Sequence, residues 1–152
     1  MRLIIDADGC PVTNIAINIA LKYNMEITVV SDTSHIFDFK NDNISYIIAD
    51  KGIDSSDFLI LNKCIKNDII ITQDYSLAAM CLSKNCFVIN QNGYMYTNDN
   101  IDELLLRKHI GKKLRKAGKN DFKIKKRTKE QNDNFIENFN KLLKKLKETK
   151  FI

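Results

Sequence analysis

The sequence predicts an α/β fold, a mostly parallel sheet of about five strands flanked by helices, on three observations. Short β-branched runs alternate with stretches of helical periodicity over residues 1–95. The fourth of these runs is almost all isoleucine, as expected of a strand covered by helices on both faces. From about residue 96 the periodicity becomes helical alone, so a C-terminal helical extension follows the α/β body.

Taken in order, Leu3-Ile4-Ile5 reads as a strand that stops at Asp6, and Pro11 suits the first position of a helix. Ile15/Ala16, Ile19/Ala20 and Tyr23 then recur three and four apart, with polar residues between them. Ile27–Val30 is a second strand, 32–43 a polar segment, and Ile44–Ala49 a third strand. A helix over Ser55–Lys66 places Phe58, Leu61 and Ile65 on one face, with Asp54 or Ser55 capping its start. Asp68–Thr72 is the fourth strand, residues around Leu77–Cys81 a short helix, and Phe87–Ile89 the fifth strand. Thr97 caps a long helix that Gly118 ends. On it Leu106, Ile110, Leu114 and Ala117 form a face expected to pack, opposite Lys108, Lys112, Arg115 and Lys116. Thr128 with Gln131 makes a capping box for a final helix striped with Phe135, Phe139, Leu142 and Leu146.

The 152 residues suffice for one domain, a body over 1–95 and a basic helical extension over 96–152. With 44% hydrophobic and 28% charged residues the chain is too apolar for intrinsic disorder. It contains no membrane-length apolar run, and Asp6 and Asp8 break the first apolar stretch, unlike a secretory signal. The expected location is cytoplasmic, with four scattered cysteines as free thiols. The net charge of +5 conceals a division: residues 1–106 hold 7 basic against 14 acidic side chains, residues 107–152 hold 17 against 5. A basic extension on an acidic body points to an anionic partner, RNA or another nucleic acid. Lys108, Lys112, Arg115, Lys116, Lys123, Lys125, Lys126 and Arg127 are the expected contacts. Lysine-rich composition is the alternative source of this charge.

In an open parallel sheet, ligands bind beyond the carboxyl ends of the strands. The acidic residues there are Asp6 and Asp8 after the first strand, Asp50, Asp54 and Asp57 around the third strand and its helix, and Asp74 after the fourth. Converging carboxylates repel, and a divalent cation relieves the repulsion. An all-oxygen set favours Mg²⁺ or Mn²⁺. Asp54 on its own reads as a helix cap rather than a ligand, and Cys10, beside the acidic pair, as a packing thiol.

Asp6-Ala7-Asp8-Gly9-Cys10-Pro11-Val12, Gly52-Ile53-Asp54-Ser55-Ser56-Asp57, Asp68 to Asp74 with Leu77-Ala78-Ala79, and Asn90-Gln91-Asn92-Gly93 with Tyr96-Thr97 and Asn100-Ile101 closely resemble the YaiI/YqxD family of bacterial proteins. The resemblance continues through Leu114-Arg115 to Gly118 and the last helix. It implies a PIN-like three-layer fold, the fold of many metal-dependent RNA-cleaving enzymes, and nuclease activity by analogy. The leading expectation is a Mg²⁺- or Mn²⁺-dependent phosphodiesterase acting on RNA. Asp6, Asp8, Asp57 and Asp74 would be catalytic, these four with Asp54 would hold the metal, and the basic extension would grip the phosphates. Two alternatives stand beside it. One is a nucleic-acid-binding module without turnover. The other is a haloacid-dehalogenase-like phosphatase, whose D-x-D also follows a first strand, although the Lys and paired acidic residues of that class do not follow in order here.

Overall fold

The computed structural model describes residues 1–32, 39–50, 55–118 and 125–149. The elements are β1 (Arg2–Asp6), α1 (Thr13–Lys22), β2 (Glu26–Ser31), β3 (Ile44–Ile48), α2 (Ser55–Lys63), β4 (Ile69–Ile71), α3 (Tyr75–Ser83), β5 (Phe87–Ile89), β6 (Met95–Tyr96), α4 (Ile101–Lys116) and α5 (Lys129–Glu148). The strands form one sheet in the order β3-β2-β1-β4-β5-β6, parallel except for β6 against β5. Among the described residues the sheet has six strands, in line with the expected mostly parallel sheet of about five. The sixth is two residues long, too short for alternation to reveal in the sequence.

Alternate residues of each strand serve opposite faces. Leu3, Ile5, Ile27, Val29, Ile69, Ile71 and Ile89 pack with α1 and α5 in one core. Ile4, Val30, Ile70 and Val88 pack with α2, α3 and the first turn of α4 in the other. Helices cover both faces, an arrangement that fits a PIN-like three-layer fold. The division at residue 95/96 marks a change of periodicity, but packing crosses it. Phe135, Phe139, Leu143 and Leu146 of α5 belong to the first core, with Leu143 rather than Leu142 as the fully buried leucine.

Asparagine ends two of the helices. After α1 and α3, Asn24 (φ 54°) and Asn85 (φ 60°) take the left-handed conformation. The following N–H groups of Met25 and Cys86 return to the carbonyls of Ala20 and Cys81, so each end is closed by the Schellman pattern with Asn where Gly is commoner. Gly93 (φ +81°) is required for a different reason, because a Cβ there would lie 2.6 Å from the Asn134 carbonyl oxygen of α5. Gly93→Ala should therefore cost about 2–4 kcal/mol in chemical denaturation, from left-handed strain plus displacement of α5.

Two helices are oriented differently from expectation. On α2 the core-facing residue is Ile60, followed by Cys64, whereas Phe58 and Ile65 are exposed and Leu61 is half-buried. Residues three and four apart share a helical face, so burying Ile60 turns Asp57 toward the sheet. On α4 only Ile101 is buried. Leu106, Ile110 and Leu114 are 57%, 48% and 42% exposed, and Ala117 is also exposed, so the face expected to pack is open. Helical period reports amphipathicity but not whether a neighbour reaches the apolar face. The helix also starts later than Thr97: Thr97 and Asn100 exchange side-chain-to-backbone hydrogen bonds in a turn that precedes Ile101.

Candidate metal and phosphate cleft

The strand order reverses between β1 and β4, the place where open α/β sheets bind ligands. A cleft of about 440 Å³ opens there, lined by Asp6, Asp8, Gly9, Asp32, Ser56, Asp57, Gln73, Asp74 and Lys108. Asp6, Asp8, Asp57 and Asp74 are thus brought to one space. Asp50 is exposed and does not line it; Asp54 and Lys123 lie outside the described residues. Sequence reasoning passes over Asp32, yet this residue directly follows β2 and meets the rule that selects Asp6 and Asp74. The long polar segment it opens obscures it.

Each carboxylate is held by local chemistry. Asp6 ends β1 one residue beyond the Ile5–Ile71 pair, which brings it level with Thr72 at the end of β4. Thr72 Oγ1 donates to Asp6 Oδ2 at 2.8 Å and accepts the Asp74 N–H at 3.0 Å, so one hydroxyl ties the two acidic positions together. Asp8 receives the Ser31 hydroxyl at 2.9 Å and the Asp32 N–H at both oxygens. Asp74 is the N-cap of α3, accepting from the N–H groups of Ser76 and Leu77. Lys108 Nζ of α4 reaches Asp74 Oδ1 at 3.4 Å across the rim.

Electrostatics separates Asp6 from Asp74. Burial pushes the Asp6 carboxyl up to about 6; Asp8, Asp74 and Asp32 add to the rise and the Thr72 hydrogen bond opposes it. For Asp74 burial acts upward too, but the Leu77 and Ser76 N–H groups and Lys108 outweigh it and hold that carboxyl below its ordinary value. A carboxylate at the opposite end of β4 shows the usual solution: buried Asp68 is paired with Arg2 at 2.7 Å. Around Asp6 the neighbouring charges are negative. Cys10 is pushed up, first by burial and also by Asp6, against the Thr13 and Val12 hydrogen bonds, which suits a packing thiol.

Of the basic residues, Lys108 lines the cleft, and Lys112, Arg115 and Lys116 are exposed further along α4. Lys125 and Lys126 are exposed ahead of α5. Arg127 has a role in the fold. Its guanidinium donates to Asn132 Oδ1, Asn92 Oδ1 and the Gln91 carbonyl, each at 2.7 Å, clipping the start of α5 to the β5–β6 turn. Asn90 builds the same turn, its Oδ1 accepting the N–H groups of Asn92 and Tyr94. No described helix is long and apolar enough to cross a membrane.

A family model described as "Uncharacterized BCR, YaiI/YqxD family" matches residues 4–145. Among similar proteins, a UPF0178 protein of Alkaliphilus oremlandii is 44% identical over 135 residues, covering 89% of this chain and 86% of its own. A UPF0178 protein of Clostridium novyi is 42% identical over 148 residues, covering 97% and 98%. One of Exiguobacterium sibiricum is 41% identical over 143 residues, covering 94% and 96%. No solved structure matches the chain.

Proposed function

Since the chain belongs to the YaiI/YqxD family and carries this acidic cleft at its sheet reversal, we propose that it is a divalent-metal-dependent ribonuclease that hydrolyses phosphodiester bonds. The observation that carries the reading is the excess of carboxylate at the cleft, with Asp6 retaining its proton to about pH 6 beside Asp8, Asp74 and Asp32. Functional sites are where such perturbed groups concentrate.

The donor set fits Mg²⁺ or Mn²⁺: it is all oxygen. Among the described residues no group of three or more His, Cys, Asp or Glu side chains is placed to hold a metal ion; the reading therefore rests on a two-carboxylate site, since Mg²⁺ characteristically takes one or two carboxylates and keeps its remaining waters. Asp6 and Asp8 would hold the ion, with Asp57 and Asp74 facing the same space. Such an ion supplies charge neutralisation at phosphorus and acidifies water. The chain's own residues do the positioning. Thr72 orients Asp6, and Ser31 with the Asp32 N–H orients Asp8. Lys108 stands at the rim, where an incoming phosphate competes with Asp74 for its ammonium. Lys112 and Lys116 extend that positive path along α4 for the nucleic-acid backbone.

Purified protein incubated with single-stranded RNA and Mn²⁺ should cleave it, and Asp6→Asn should slow cleavage by about 10³-fold. Undiminished cleavage by the variant, or none by the wild type with either cation, defeats the proposal.

A further inference from the structure

We propose that a second cavity, walled by Tyr75, Tyr94 and Tyr96, binds a nucleobase of single-stranded RNA, a reading that rests on the nuclease assignment of the adjoining cleft. The cavity measures about 300 Å³ and is completed by Asn90, Asn92, Leu104 and Arg107, at the small end of ligand pockets and on the scale of one base. It has no carboxylate in its lining, in contrast to the neighbouring cleft.

Three features suit it to a base. Tyr96 is flanked edge-on by Tyr75 at 5.8 Å and Tyr94 at 6.0 Å between ring centroids. Tyr94 is 47% exposed, so a ring face is open to stacking, which every base can supply. Tyr96 itself is only 2% exposed, and its hydroxyl has no hydrogen-bond partner among the described residues. The Asn90 side chain lies beside that hydroxyl and interacts with it. A buried donor left unsatisfied is costly, and the carbonyl of a base would satisfy it. Arg107, ion-paired with Glu103 at 2.6 Å, also lines the cavity and brings a planar guanidinium able to stack on a base.

Position relates this pocket to the acidic cleft. Tyr75 directly follows Asp74, and Arg107 directly precedes Lys108, so two shared elements face both spaces. A strand whose phosphate occupies the cleft would pass along α3 and α4, the two helices that also wall the tyrosine cavity.

The test measures binding without divalent cation, so that cleavage plays no part. A fluorescein-labelled oligouridylate of about 10 nucleotides and an abasic oligomer of the same length are titrated by anisotropy. The chain has five tyrosines and no tryptophan, so its own emission reports stacking directly. Wild type should bind oligouridylate about 10-fold more tightly than the abasic strand, with quenching of tyrosine emission. Tyr94→Ala, at an exposed position, should abolish that preference, and Tyr94→Phe should retain it. Tyr96→Phe should weaken base binding about 3-fold without lowering the melting temperature. Equal affinity for the two strands, or an unchanged preference in Tyr94→Ala, overturns the pocket. Base-dependent binding with no RNA cleavage in Mn²⁺ overturns the nuclease reading instead and leaves the pocket standing.

Discussion

Asp6→Asn should stabilise the fold at neutral pH by up to about 3 kcal/mol. An aspartate of the unfolded chain ionises at 3.8, whereas native Asp6 does so at about 6. Between these values the native state holds a proton that the unfolded chain has released. Stability therefore falls as pH rises through that window, by about 1.36 kcal/mol per unit, and the loss is complete above pH 6. Below pH 3.8 both states are protonated and the penalty is absent. Asparagine carries no charge and still offers an oxygen to Thr72 Oγ1, so the variant lacks this slope. In a chain of this size the gain at pH 7.5 amounts to a melting temperature higher by about 5–10 °C. Asp74 works in the opposite sense, losing its stabilising contribution as pH falls through its depressed value, and it is common to both proteins. The difference between the two pH profiles therefore isolates Asp6. Equal profiles would show that the Asp6 charge is not strained. The proposed cation adds a second arm: Mn²⁺ should raise the wild-type midpoint by ligand linkage and leave the variant unmoved. A residue whose removal improves stability while abolishing activity is what a functional site placed against folding predicts.

Phe139→Ala should cost about 3–5 kcal/mol, read as a fall in the denaturation midpoint at unchanged slope. Phe139 is fully buried and stacks on Phe135 with ring centroids 5.2 Å apart. Both rings lie in the core that includes Leu3, Ile5, Ile27 and Ile69. The loss is a large fraction of the stability of an ordinary domain, although the residue sits in the C-terminal extension. A cost below about 1 kcal/mol would mean that α5 is a detachable appendage. The Arg127 clip and the contact of Gly93 with the Asn134 carbonyl act in the same direction, seating α5 against the β5–β6 turn. Removing residues 125–149 to test the basic extension would therefore uncover the sheet. Charge substitutions at Lys112 and Lys116 are the better probe.

The acidic positions are legible because strand ends are marked locally: an apolar run stops at Asp6, another just before Asp74, and the topology of parallel sheets sends both to one edge. Asp32 satisfies the same rule but heads a polar stretch that reads as a loop. Arg127 reads as a nucleic-acid contact among its basic neighbours, and nothing local indicates that Asn92, Asn132 and the Gln91 carbonyl surround it. The tyrosine cavity is invisible for the same reason. Tyr75, Tyr94 and Tyr96 lie on two segments whose rings meet only once β5 stands beside β4.

By itself the sequence determined the alternation of strands and helices, the capping box at Thr128 and the separation of an acidic body from a basic extension. These depend on neighbours within a few residues, where propensity, period and charge act directly. Only the tertiary structure decided that α2 buries Ile60 and so turns Asp57 to the cleft, that the apolar face of α4 stays open, and that α5 completes the core. Those outcomes depend on which surfaces meet across the sheet, and burial is a property of the pair in contact.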